Sequence, residues 1–514
     1  MRGEPDTAAM TIKTVDFNSL LIGANLLVVG LLFYALAHAQ PNPYVNQASI
    51  LLGIVLCAQT HIALWLERRQ RDPFVILFTF TMIFYFSLRV FTLTIYGFSD
   101  VFERYPYDTA DSNYALIFIL IANLFLYFGL YVVKIKGNQA VDATGWKASS
   151  STRVVLLMVA AIFFAYFSGA SGVDSEAGSS RLLSVLGIFL TPNIIVLMAL
   201  SYFFMFRRTL TRKFALTLAS LIASELIVHT LIGSRSAIVV IVQNCIFVWL
   251  AMAGRIRFRR KYLLVSVALL PVFILLLVVS FAVSTYNRAT RIVGGSFDVQ
   301  QAFQSAIESA SGVSVASTLD IILPPLLSRA GYFDYSAEVI AHRAQYRSAL
   351  NLSSYGKSIV DNILTPGFDV YDQPKTSNAL HFIYGERGEP SKEQSSEDYQ
   401  SDQFGVYGEF YGLFGYACLP VLFAGAYLVK RVYVRLRGSN PFILLMKRVV
   451  VLFVFDRLVN SYGIDWVIGE TIPLVAAIFL YTFFFSVRRS GGADVGPRMP
   501  ADSESLPGLS TANR

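Results

Sequence analysis

Arg89, Asp456, Arg457, Glu225, His229, Glu409 and Glu470 are ionisable side chains set inside or at the ends of long apolar runs. A charge in such a run is costly and usually faces a cavity or a partner. At 1.5 Å per residue, Arg89 lies about 24 Å along the run that begins near Pro73. Asp456 and Arg457 lie equally far along the run that begins near Pro441. Glu225 and His229 are four apart on one helical face, a turn or two below Arg235. Glu409 and Glu470 open their runs, whereas Lys447 and Arg448 lie near the opposite surface, where long side chains snorkel. Any one of these groups reads as an interfacial ion pair or a cap. Their shared depth predicts a polar collection in the outer third of a membrane. Arg235, Arg288, Arg291 and Arg329 add planar cationic donors suited to phosphate oxygens. A cationic cavity at headgroup depth is what a lipid-linked diphosphate would need.

The elements that must position these groups follow from composition and charge parity. The chain of 514 residues is 55% hydrophobic and only 15% charged, more apolar surface than a soluble domain could cover. Apolar runs alternate with connectors, and every second connector is basic: 67–71, 134–136, 207–213, 255–261, 430–437 and 488–489. Short basic loops stay cytoplasmic. The fold class read from this is an all-α polytopic membrane protein of about twelve transmembrane helices, with both termini cytoplasmic. Residues 1–284 form a nine-span transmembrane bundle, 285–407 an extracytoplasmic loop domain, 408–487 spans ten to twelve, and 488–514 a disordered cytoplasmic tail. The loop reads as a large helical one, with an amphipathic helix over 298–323, a second helical stretch over 336–350 and irregular chain beyond. The net charge of +8 sits mostly in the cytoplasmic connectors, so it points to membrane lipids rather than nucleic acid. Three cysteines lie in or beside apolar runs, and no metal-ligand spacing or cofactor motif occurs. The first sixteen residues lack the pattern of a cleavable signal peptide.

Two local patterns carry a resemblance: Ile232-Gly233-Ser234-Arg235-Ser236 between two apolar runs, and Gly408-Glu409-Phe410-Tyr411-Gly412-Leu413-Phe414-Gly415 leading out of the long loop. With the topology, they make the chain similar to the Wzy-type O-antigen polymerases and related exopolysaccharide repeat-unit polymerases, in the superfamily of the O-antigen ligases. The resemblance implies a GT-C-like glycosyltransferase in the bacterial inner membrane. It would join oligosaccharide repeat units carried on undecaprenyl diphosphate at the periplasmic face, with lipid-linked donor and acceptor as partners and a chain-length regulator protein as a possible third. The implied chemistry is a metal-independent displacement at the anomeric carbon. Arg235, Arg288, Arg291 and Arg329, with Arg89 and Arg457, would hold the diphosphate. The related ligases place a histidine shortly before the second pattern, where this chain reads Tyr399-Gln400-Ser401-Asp402-Gln403. The base is therefore sought among His381, Asp402 and Glu409, with His342 a weaker candidate in a helical stretch. Three rivals stand beside this reading. One is a transporter or flippase of lipid-linked oligosaccharide, whose polar site would lie at the midplane. Another is an O-antigen ligase-type transferase. The third, an enzyme using a polyprenyl monophosphate sugar, is disfavoured because segment 38–47 has no acidic residue.

Overall fold

The computed structural model describes residues 14–38, 42–70, 72–96, 108–135, 140–149, 152–167, 192–206, 210–232, 237–253, 257–259, 332–364, 370–371, 376, 379–380, 383, 404–460, 463–482, 485 and 487–489. These build an all-α membrane protein trimmed by two short β ribbons. Among the described residues, five stretches are long and apolar enough to cross a membrane: Phe17–His38, Gln47–Glu67, Pro73–Ile95, Thr109–Val132 and Gly405–Arg435. Their leucines, isoleucines and phenylalanines join one core that runs through the bundle.

Four helices start the bundle: α1 (Phe17–His38), α2 (Gln47–Gln70), α3 (Pro73–Tyr96) and α4 (Thr109–Val132). Local chemistry fixes their starts. Asp72 caps α3 by accepting from the Phe74 N–H at 3.0 Å, with Pro73 at the first helical position. Asp108 and Asp111 cap α4 reciprocally. α3 is interrupted by a π-helical turn, Met82–Ser87, a rare local widening of the helix. Next come α5 (Thr152–Phe167), α6 (Pro192–Phe206), α7 (Arg212–Ile232) and α8 (Ala237–Ala253). α5 packs on α7, and α6 on α8.

The next described helices come from the segment read as an extracytoplasmic loop: α9 (Tyr332–Ala341) and α10 (Leu352–Leu364). A single helix over 336–350 is not what forms. The chain leaves α9 after Ala341 and turns, so that Tyr346, Ala349 and Leu350 bury in a small cluster with Val339, Leu380 and Phe404. Asn351 then starts α10, its side chain accepting from the Ser354 N–H at 2.9 Å. α9 does not stand outside the bundle. Tyr332 packs on Tyr85 of the π turn at 4.7 Å, and Asp334 pairs with Arg89.

α11 (Gly405–Phe414), a 3₁₀ turn (Gly415–Ala417) and α12 (Cys418–Arg435) follow. The stretch Gly405–Arg435 is thus a hairpin rather than one rod. Along α4, Tyr407 meets Asn123, Tyr411 meets Phe118, and Tyr416 reaches Tyr114, so α11 climbs toward the start of α4. α12 then returns: a Cβ on Gly129 would strike the Phe423 carbonyl, and Lys430 bonds the Leu130 carbonyl. Gly415 makes the reversal at φ +59°, a conformation that disfavours any side chain. α13 (Pro441–Asn460) and α14 (Ile464–Thr482) complete the helices.

The ribbons gather connectors on one face. β1 (Thr14–Asp16) pairs antiparallel with β3 (Arg257–Arg259), and β2 (Trp146–Ala148) with β4 (Val487–Arg489). Charge parity assigned all four segments to one side, and each pairing puts the two members of its ribbon together. There Lys430 is not a solvated connector residue. It is buried on Asp72, whose own N–H bonds the Glu67 carboxylate. Arg448 likewise does not snorkel: it is buried, with its guanidinium over Tyr433 at 5.6 Å and bonded to the Ala251 carbonyl at 3.4 Å. Lys447 is the exposed member of that pair.

Two measurements follow. Single cysteines placed at exposed Ser353 and Ser439 should differ toward an impermeant thiol reagent in intact cells, Ser353→Cys reacting and Ser439→Cys staying silent. The reverse pattern would invert the orientation. Lys430→Met should lower stability by about 3–5 kcal/mol, because it leaves buried carboxylates without their ammonium; an unchanged thermal midpoint in detergent would remove the ion pair from the list of stabilising contacts.

Candidate functional site

Three separate polar systems among the described residues hold the side chains the sequence singled out. The first is Arg89 with Asp334. The guanidinium Nε and Nη2 both donate to Asp334 Oδ2, at 3.0 and 2.5 Å, and both side chains are fully buried. Arg89 was expected to face a phosphate. The contact the structure gives it is a carboxylate on α9, so its visible work is to hold that helix in the bundle.

The second system surrounds Asp456. Gln243 donates to its Oδ2 at 2.5 Å and Asn460 to its Oδ1 at 2.6 Å, and Thr81 donates to Asn460 at 2.5 Å. Thr81 precedes Arg89 by eight residues, or about 12 Å of helix. Asp456 therefore does not share the depth of Arg89, although counting along α13 suggested it. Helix tilt and offset, invisible to counting, break the correspondence. Arg457 lies against the Phe453 ring at 5.0 Å.

The third system is the candidate site. It centres on Glu409, buried on α11. Tyr355 of α10 donates its hydroxyl to Glu409 Oε1 and accepts from the Ile464 N–H at 2.7 Å. Three residues on, along the same face of α10, Ser358 donates to Asp465 Oδ2 at 2.6 Å. The Thr376 N–H reaches the same oxygen at 3.1 Å. Asp465 lies in the first turn of α14, where the helix dipole favours an anion.

The two carboxylates meet over Gly463. A Cβ there would lie 2.5 Å from Glu409 Oε1 and 2.5 Å from Asp465 Oδ1, so the oxygens are at most about 5 Å apart. Burial, and then the charges of Glu409 and Asp465, hold the Tyr355 phenol well above the ordinary tyrosine value. It remains a neutral O–H donor at any physiological pH. A buried carboxylate fixed by one hydroxyl, beside a second carboxylate, can orient a substrate hydroxyl and accept its proton.

Of the residues expected to form the site, Glu409, Arg89 and Arg457 are described, and only Glu409 enters this cluster. Arg235, Arg288, Arg291, Arg329, His381 and Asp402 lie outside the described residues. Ala379 and Leu380, which precede His381, pack beside Val339 and Phe404, near the start of α11. His342 closes the last turn of α9, its N–H on the Glu338 carbonyl at 2.8 Å. Among the described residues no three His, Cys, Asp or Glu side chains converge as a metal site.

Sequence reasoning missed Tyr355, Ser358, Gly463, Asp465 and Asp334. Tyr355 is one of 27 tyrosines, and nothing local marks it. A signal did exist for α10, the Asn351-Leu352-Ser353-Ser354 cap, and for Gly463-Ile464-Asp465, a glycine and an acid opening an apolar run.

The class defined by fold and site is an all-α membrane protein with a buried carboxylate pair between α11 and α14. No family model matches the chain, and neither the curated proteins nor the solved structures contain a significant match.

Gly463→Ala should force the carboxylates apart and cost about 1–3 kcal/mol. A thermal melt of the alanine variant at the wild-type midpoint would show that the close approach is not as tight as the geometry states.

Proposed function

We propose that this chain is a membrane glycosyltransferase that polymerises undecaprenyl diphosphate-linked oligosaccharide repeat units. It is of GT-C-like architecture with about twelve spans, in the bacterial inner membrane with both termini cytoplasmic. The observation that carries the reading is Glu409. It lies in the Gly408–Gly415 stretch that resembles the polymerases, it is buried, and it is held by a hydroxyl from the long loop beside a second carboxylate.

In this reading the acceptor hydroxyl attacks the anomeric carbon of the donor while its proton passes to Glu409. The carbon–oxygen bond to the lipid breaks, and the electron pair leaves on the undecaprenyl diphosphate. Fixed cations must stabilise that leaving group. Arg235, Arg288, Arg291 and Arg329 are the arginines assigned to it. Arg89, engaged by Asp334, is the weakest member of the original set. His381 and Asp402 remain alternative bases from the same loop.

One observation favours a transporter of the same lipid-linked substrate. α9 and α11 are short helices embedded among longer ones, and broken helices with polar ends are a common transporter device. A single assay separates the two. Purified protein given an undecaprenyl diphosphate-linked repeat unit should yield a ladder of longer lipid-linked glycans in the presence of EDTA and without nucleotide sugar. Glu409→Gln should lower the rate by about 10²–10⁴-fold, the usual contribution of a general base. A ladder that required divalent metal would remove the arginine-only mechanism. Movement of intact substrate across the bilayer without elongation would replace the polymerase by the transporter.

A further inference from the structure

We infer that Tyr355, supplied by the long loop, is a positioning residue for Glu409, so that α10 is a working part of the site and not only its roof. The inference rests on the polymerase reading for its kinetic test, but its geometry stands alone. α10 packs along α14 and presents two hydroxyls from one helical face, Tyr355 and Ser358, three residues apart. Each addresses one carboxylate: Tyr355 bonds Glu409 on α11, and Ser358 bonds Asp465 on α14.

Tyr355 is also fixed from behind. The Ile464 N–H donates to its oxygen at 2.7 Å, which directs the phenolic proton at Glu409. The ring is buried, so solvent cannot compete for that proton. With Oε1 engaged, the carboxylate cannot spin about its last bond, and the second oxygen becomes the one offered to an acceptor hydroxyl. Asp465 faces the same group across Gly463. Tyr355 touches neither donor nor acceptor in this arrangement; it acts through Glu409.

A residue that acts through another has a kinetic signature: its loss should not add to the loss of its target. With full-length protein in nanodiscs of phosphatidylethanolamine and phosphatidylglycerol, Tyr355→Phe should lower kcat about ten- to a hundredfold, the scale of one hydrogen bond to a charged group. KM for the lipid-linked acceptor should stay unchanged, and the double variant Tyr355→Phe/Glu409→Gln should be no slower than Glu409→Gln alone. A second readout does not need turnover. The carboxyl band of Glu409, assigned in the infrared by difference against Glu409→Gln, should shift in Tyr355→Phe as the hydrogen bond is lost. A ladder at wild-type kcat, or effects that multiply in the double variant, overturns the positioning role. No ladder from the wild type, with the infrared shift present, overturns the polymerase reading and leaves Tyr355 positioning Glu409. An infrared band that does not move overturns the inference whichever way the ladder falls.

Discussion

Asp334 could not occupy its place without Arg89. A carboxylate stripped of water among apolar helices is prohibitively costly alone and acceptable when a guanidinium answers it with two hydrogen bonds. That pair lets α9 enter the bundle instead of lying on its surface. α9 in turn makes the wall against which α11 packs: a Cβ on Gly408 would meet the Ser336 Cα at 3.2 Å, and Ser336 bonds the Phe404 carbonyl at 3.0 Å. Only with α11 so placed does Glu409 face Tyr355 and Asp465. Breaking the Arg89–Asp334 pair would therefore reach the candidate site without touching it.

The hairpin of α11 and α12 shows how the apolar surroundings are satisfied. Helices keep their backbone bonds internal, so a short helix can end inside a bundle if its ends find partners. Tyr407 bonds Asn123, which bonds Gln59 at 3.1 Å, which bonds the Leu120 carbonyl at 2.9 Å. This polar thread ties α11 to α4 and α2 at depth, and the π turn of α3 brings Phe86 edge-on to Tyr407 at 5.3 Å. The result is a rigid seat for one carboxylate. Reaction chemistry and binding both gain from such a seat, because a preorganised group need not reorganise when substrate arrives.

At the opposite end of the bundle, Lys430, Asp72 and Glu67 join α12, α3 and α2. The two ends share ingredients and differ in arrangement. Lys430 answers its carboxylate directly, while Glu409 is answered by a neutral hydroxyl and confronted by a second acid. That difference is why the Glu409 cluster, and not the more strongly charged one, is the candidate site.

Much of the architecture was legible in the chain. Hydrophobic run length marked the helices, and parity of basic connectors put 14–16 with 257–259 and 146–148 with 487–489, the partners that the two ribbons join. Glu409 was legible too, because a carboxylate opening an apolar run violates composition at a single position. Depth was not. Counting residues put Asp456 level with Arg89, but tilt and offset between helices are set by side-chain packing and leave no trace in spacing. Nor were Tyr355, Asp465 or Asp334 recoverable as partners, since each pairing joins residues separated by 54 to 245 positions. Sequence determined which segments are apolar enough to form long helices, because transfer of apolar surface is a property of each segment alone. Tertiary structure decided which carboxylate meets which hydroxyl, because hydrogen bonds act over a few ångströms between chains that only folding brings together.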